Sequence, residues 1–131
     1  MHAEKIIIPD SSALDYRIAL VGNPNVGKSV LFGLFTGKYV TVSNYPGTTV
    51  EVTRGMYSGS NDTIEVVDTP GANSLISHSE DERVARDILL RDEEKRVIQI
   101  LDAKNIHRGL LITTQLAEMG LPISIGLNMW D

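Results

Sequence analysis

Apolar and polar positions change period several times along this chain, and each change marks an element. Tyr16 to Val21 is a near-continuous apolar run ending on Gly22, the pattern of a strand buried on both faces of a parallel sheet. Lys28 to Phe35 switches to helical spacing, with Leu31, Leu34 and Phe35 expected on the packing face and Gly37 as the stop. Lys38 to Thr49 keeps no sustained period and holds Gly, Pro, Asn and Ser, which predicts a long loop of the kind that is functional or disordered. Val50 to Tyr57 and Thr63 to Asp68 predict two strands joined by the turn-forming Ser58-Gly59-Ser60-Asn61-Asp62.

Ser79-Glu80-Asp81-Glu82 has a capping residue followed by acids near a positive dipole end, so a helix is expected from there to Leu90. Arg96 to Leu101 reads as another buried strand. Ile106, Leu110, Thr113, Thr114 and Ala117 keep helical spacing until Gly120 and Pro122, and Ile123 to Leu127 forms a last strand running into Asn128-Met129-Trp130-Asp131. Strands alternating with helices predict an α/β fold: three layers, doubly wound, with a mostly parallel sheet, one antiparallel hairpin strand and ligands at the carboxyl ends of the strands. Residues 1–15 are read as an amino-terminal extension and 16–131 as one domain that lacks a last strand and helix. The strand at Ile123 to Leu127 should then have an exposed edge, which invites a homo-oligomer.

Composition narrows the classes. The 131 residues are 42% hydrophobic and 22% charged, ordinary for a globular chain, and there is no cysteine to build a disulfide framework or a thiolate metal site. A net charge of -5 argues against a sequence-independent grip on nucleic acid or anionic lipid, since both need basic surface. No window has about 18 uninterrupted apolar residues, and Ile6-Ile7-Ile8 stops at Pro9-Asp10, too short for a signal-peptide core. His2, His78 and His107 have no metal-ligand spacing with one another.

The candidate chemistry begins at Gly22-Asn23-Pro24-Asn25-Val26-Gly27-Lys28-Ser29, which is G-x-x-x-x-G-K-[ST] between an expected strand and an expected helix. Its glycines let successive N–H groups and the positive helix end face a phosphate chain; Lys28 reaches the β and γ phosphates, and the Ser29 hydroxyl takes a place on Mg²⁺. Alone, this loop allows an ATPase, a kinase or a GTPase. Gly47-Thr48-Thr49 closes the long loop, where a threonine can put its hydroxyl on Mg²⁺ and its N–H on the γ-phosphate. Asp68-Thr69-Pro70-Gly71 at a strand end offers a carboxylate for Mg²⁺ and a Gly71 N–H for the γ-phosphate. In Asn128-Met129-Trp130-Asp131, the aspartate can accept from N1 and the exocyclic amine of guanine, donors that adenine lacks in that pattern, while the asparagine bonds the base and braces the phosphate loop. Trp130 either contacts the ligand or covers apolar surface.

In this order the motifs mark a small translation-factor-related GTPase domain, and their wording resembles the amino-terminal G domain of the ferrous iron transport protein B family. The resemblance covers Tyr16 to Asp131. It rests on the phosphate loop, Val42-Ser43-Asn44-Tyr45-Pro46-Gly47-Thr48-Thr49-Val50-Glu51, Asp68-Thr69-Pro70-Gly71, Asp102-Ala103-x-Asn105 and the last motif, where Met129 stands in place of the lysine of many GTPases. It implies binding of GTP and GDP with Mg²⁺ by the residues of these motifs, Val50 and Glu51 included, and slow hydrolysis in which Lys28, Thr49 and Gly71 take part. It also implies a place at the cytoplasmic face of the bacterial inner membrane, where a helical regulatory domain and an Fe²⁺ permease would be the partners. At the position of Asn25, an asparagine in this family helps to hold K⁺ beside the phosphates.

Ala72 follows the Asp-x-x-Gly motif where Ras-like enzymes carry the glutamine that orients water, so turnover should be slow unless K⁺ or backbone groups position the water. Two alternatives remain at this point: a ribosome-associated assembly GTPase, which shares Pro-Gly-Thr-Thr and Asp-Thr-Pro-Gly, and a nucleotide-binding module with negligible catalysis.

Overall fold

The computed structural model describes residues 16–37, 40–57, 59, 61, 63–76, 78–91 and 95–129. The proposed extension, Trp130 and Asp131 lie outside the described residues. Six strands form one sheet in the order β2-β3-β4-β1-β5-β6: β1 Tyr16–Gly22, β2 Val40–Asn44, β3 Glu51–Met56, β4 Ile64–Asp68, β5 Lys95–Asp102 and β6 Ile123–Asn128. β1 pairs in parallel with β4 and β5, and β5 with β6. β3 runs antiparallel to β4, and β2 antiparallel to β3.

Alternation along β1 explains why both sheet faces must be covered. Ile18 and Leu20 face a cluster with Val66, Phe32 and Phe35, the last two on α1 (Lys28–Thr36). Ala19 and Val21 face the opposite cluster, which holds Ala85 and Leu89 of α2 (Glu80–Leu90) and Ile112 and Leu116 of α3 (Leu110–Glu118). Burying side chains such as Leu20 or Ile112 contributes roughly 1.5–3 kcal/mol each. The result is the three-layer α/β arrangement of the P-loop GTPase fold, with the carboxyl ends of β1 and β4 at one rim.

Three sequence expectations need correction. The stretch expected as one long loop contains β2, whose five residues are all exposed at the sheet edge; with neither face buried, its Val-Thr-Val-Ser alternation carries no burial signal. The buried positions of α1 are Lys28, Phe32 and Thr36, one turn apart; Phe35 packs beside them as expected, whereas Leu34 is 73% exposed. Two residues from Phe32 is more than half a turn round a helix. In the third case a 3₁₀ turn, Ile106–Gly109, precedes α3 and shifts the phase of the pattern. Ile112, Gln115 and Leu116 are therefore buried, while Leu110, Thr114 and Ala117 face outward. The predicted start of α2 holds, with Ser79 Oγ accepting from the Glu82 N–H. Ile125 and Leu127 on β6 are exposed at the other edge of the sheet.

Candidate functional site

β1 delivers Gly22 into a tight loop, and α1 begins at Lys28. Two residues of this loop adopt the left-handed conformation, Asn25 at φ 65 and Gly27 at φ 83. At Gly27 the backbone conformation and the space agree: a Cβ there would overlap the side-chain amide of Asn128. Asn128 in turn donates from Nδ2 to the Val26 carbonyl at 3.0 Å, so the end of β6 braces the loop that begins at the end of β1. The first turn of α1, Lys28 to Val30, lines a cleft with this loop, and the N–H groups that begin a helix have no intrahelical partner and suit an anion.

That cleft has a volume of about 410 Å³. It is lined by Asn23, Pro24, Asn25 and Gly27, by Lys28, Ser29 and Val30 of α1, and by Gly71 and Asp81. Lys28 is buried; its Nζ donates to the Asp68 carboxylate and, at 2.6 Å, to the Thr69 carbonyl. Ser29 Oγ lies 3.4 Å from the other Asp68 oxygen. Lysine, hydroxyl and carboxylate from three motif positions thus meet at one point. Ser29 and Asp68 supply hard oxygens that suit Mg²⁺. Among the described residues no group of three His, Cys, Asp or Glu side chains could hold a metal unaided, so such an ion would need phosphate oxygens to complete its shell.

The segment after β4 is pressed onto the phosphate loop. A Cβ on Gly71 would lie 3.0 Å from Pro24 Cα, the Ala72 N–H donates to the Gly22 carbonyl at 3.0 Å, and the buried Asn23 donates to the Ala72 carbonyl at 3.2 Å. Thr69 is fully buried, with its hydroxyl on the Leu20 carbonyl at 2.7 Å, and Pro70 is half-buried beside it. Glu82 of α2 holds the next part: its carboxylate accepts from the main chain of Asn73 at 3.1 Å, Ser74 at 3.0 Å and His78 at 3.2 Å. Burial opposes the charge on Glu82. The amides of Ser74, His78 and Asn73 and the Ser79 hydroxyl outweigh it and hold this carboxyl below the usual carboxylate range.

The loop between β2 and β3 is placed differently. Tyr45 is buried with Val50, Val52 and Ile88; its hydroxyl donates to Asp87 and the Arg91 guanidinium lies 5.5 Å from its ring centre. Burial, then the bond to Asp87, pushes the phenol pKa up. Tyr45 therefore closes the core. Gly47 is exposed at φ 78, and Thr48 turns its hydroxyl inward to the Tyr45 carbonyl at 2.9 Å. Thr49 is exposed and held by Glu80 of α2: its N–H donates to Glu80 Oε1 at 3.0 Å, and its hydroxyl lies 3.5 Å from the same oxygen. Val50 belongs to the core, Glu51 is exposed on β3, and Met129 is exposed at φ 58.

The structure therefore brings the phosphate loop, Asp68 and Gly71 together and seats Thr49 on α2. Sequence reasoning did not single out Asp81 as a wall of the cleft, nor Glu80 and Glu82 as the carboxylates that hold Thr49 and the segment after Gly71. The acids were visible in the sequence, but as the helix-capping pattern that they also form.

A model of the family described as ferrous iron transport protein B matches residues 16–131. The Fe(2+) transporter FeoB of Methanocaldococcus jannaschii is 46% identical over 105 residues, which cover 80% of this chain and 16% of that protein. The Fe(2+) transport protein A/Fe(2+) transporter FeoB fusion protein of Porphyromonas gingivalis is 43% identical over 118 residues, 88% of this chain and 14% of that one. A solved structure of an S. thermophilus NFeoB mutant bound to GDP superposes with a TM-score of 0.82 at 45% identity, covering 87% of this chain and 44% of its own. The chain thus spans about a sixth of the length of the curated transporters it matches. The family model and the relatives named above all belong to the iron-transport family. With the phosphate loop, the Asp68 carboxylate and the Asn128 brace in one cleft, and with this similarity along its described length, the chain belongs to the ferrous iron transport protein B family, whose amino-terminal G domain it represents.

Proposed function

We propose that this chain binds GTP and GDP through its phosphate loop, hydrolyses GTP slowly, and serves as the regulatory G domain of a ferrous iron transporter. One observation carries the reading: Lys28, Ser29 and Asp68 converge at the mouth of a loop whose amides and helix end are arranged for phosphate. The same family contains a GDP-bound relative of similar fold. Base selection falls to Asp131, the last residue of the motif that opens with Asn128, whose side chain braces the loop at Val26.

In this reading water attacks the γ-phosphorus in line, its new P–O bond forming as the bond to the β-γ bridging oxygen breaks and GDP leaves, while the proton shed by the water passes to a phosphate oxygen. Lys28 neutralises charge that develops on the phosphate oxygens, and the Gly71 N–H donates to the γ-phosphate. Ser29, Asp68 and, once released from Glu80, Thr49 would hold Mg²⁺, which supplies charge stabilisation on the phosphates when bound. Asn25, on the cleft wall, would help to hold K⁺ there. Ala72 is buried and has no polar atom in its side chain, so it cannot orient water, which supports slow turnover unless K⁺ or main-chain groups position that water. Among the described residues no helix is long and apolar enough to cross a membrane. A helical regulatory domain and a membrane permease for Fe²⁺, with the G domain at the cytoplasmic face, are the partners this reading requires.

Titration calorimetry with GTP, GDP and ATP tests the binding claim, and equal affinity for GTP and ATP would sink it. Single-turnover phosphate release tests the chemistry: Lys28→Ala should slow it by at least about a hundredfold, and the wild type should run faster in K⁺ than in Na⁺. A chain that binds GTP but releases no phosphate would leave only a nucleotide-binding module.

A further inference from the structure

Gly71 is followed by five main-chain amides in a row that each have an acceptor. Ala72 donates to the Gly22 carbonyl, Asn73 and Ser74 to Glu82, Leu75 to Gln115 Oε1 at 2.7 Å, and Ile76 to Ser74 Oγ at 3.0 Å. Gln115 stands out among these partners. It lies on α3, forty residues along the chain from Leu75, and is buried beside Ile112 and Leu116. Its other amide atom, Nε2, donates to Ser74 Oγ at 2.9 Å.

A buried amide in an apolar stripe is costly unless both its ends are bonded, and a leucine would fill the same stripe without that cost. Both ends of Gln115 are spent on the segment just beyond Gly71. That segment needs fixing for a chemical reason. With Ala72 in place of a water-orienting side chain, the attacking water and the γ-phosphate depend on where main-chain N–H groups stand, and small displacements of such groups are expensive.

We propose that Gln115 is a positioning residue for phosphoryl transfer. It fastens Ser74, Leu75 and Ile76 to α3 and so fixes the approach of Gly71 and Ala72 to the γ-phosphate. This rests on the GTPase reading above and deepens it: GDP, which lacks the γ-phosphate, should be indifferent to Gln115, whereas the hydrolytic step should not.

The test uses this chain with Gln115→Leu and Gln115→Glu. Single-turnover hydrolysis of GTP is followed alongside calorimetric affinity for GDP and for a β,γ-imido GTP analogue. Gln115→Leu should slow hydrolysis by about tenfold to a hundredfold while GDP affinity stays within about twofold. Glutamate keeps an acceptor for the Leu75 N–H and can accept from the Ser74 hydroxyl, so Gln115→Glu should return the rate to within about threefold of wild type. A Gln115→Leu rate equal to wild type overturns the proposal. So does a loss of GDP affinity as large as the loss of rate, because a general structural role predicts that. If Gln115→Leu does not fold, Ser74→Ala takes its place: it removes the hydroxyl that joins Gln115 to Ile76, and an unchanged rate is again a refutation. A wild type that hydrolyses no GTP fails in a different place, at the parent reading, before any variant is compared.

Discussion

Replacing Glu82 by glutamine removes one negative charge from a carboxylate that accepts three main-chain N–H bonds, and the cost follows from where each donor sits. The Ser74 amide belongs to a buried residue, while Asn73 and His78 are exposed and can turn to water. Charge-assisted bonds are worth more than neutral ones, but the burial of the carboxylate itself offsets part of the gain. A glutamine also presents an amide donor toward an N–H it cannot accept from. The net loss at neutral pH should be about 2 kcal/mol, or roughly 6–10 °C in Tm for a chain of this size. The pH dependence carries the sharper prediction. The folded pKa of Glu82 lies below its ordinary value of 4.5, so its stabilisation is fully present above that value and is lost as pH falls through the folded pKa. Urea denaturation of wild type and Glu82→Gln in parallel, from neutral pH into the acid range, should show a gap that narrows below pH 4.5. A gap that stays constant with pH, or one under about 0.5 kcal/mol at neutrality, would refute the assignment of this carboxylate as the charged acceptor for the segment.

Three other perturbations probe neighbouring contacts. Tyr45→Phe should destabilise by about 1 kcal/mol through loss of the hydroxyl bond to Asp87; because the folded phenol pKa is raised, that contribution is complete below 10.0 and is lost as pH rises through the folded value, which denaturation in mildly and strongly alkaline buffer will reveal. Glu80→Ala releases the Thr49 N–H and hydroxyl from their carboxylate. If that contact is worth about 0.5–1 kcal/mol, affinity for a GTP analogue relative to GDP should rise about two- to fivefold by calorimetry. Gly27→Ala forces a side chain into φ 83 and into the Asn128 amide, so guanine nucleotide affinity should fall about tenfold or more in the same assay.

What the sequence made legible is what local spacing can encode. A phosphate cradle is built from consecutive amides and two glycines, so Gly22 to Ser29 announces itself, and Asp68 and Asn128 are each marked by a strand that ends beside them. The helix stripes were less legible because phase depends on how a helix starts. Gly27 begins α1 in a left-handed conformation and a 3₁₀ turn begins α3, so apolar residues such as Leu34 and Leu110 fit the pattern and yet face outward. β2 was hidden for the opposite reason: its pairing is entirely main chain and its side chains are exposed, which leaves hydrophobicity with nothing to report.

The anchors around Gly71 were illegible in a more instructive way. Asn23, Glu82 and Gln115 come from the phosphate loop, α2 and α3, and they meet at residues 72–76 only because the sheet brings those elements to one rim. No motif spacing links them. Their convergence has a consequence for switching. If the γ-phosphate draws Gly71 toward itself, the following residues must either carry α2 and α3 with them or give up bonds to buried side chains. Giving up such bonds leaves unsatisfied amides in the interior, which costs more than a small rigid shift of packed helices. The nucleotide signal should therefore leave this domain through α2 and α3 moving as attached bodies. Hydrogen exchange would then keep the Ser74 and Leu75 amides protected in both the GDP and the GTP-analogue states, whereas melting of the segment on loss of the γ-phosphate would expose them in one.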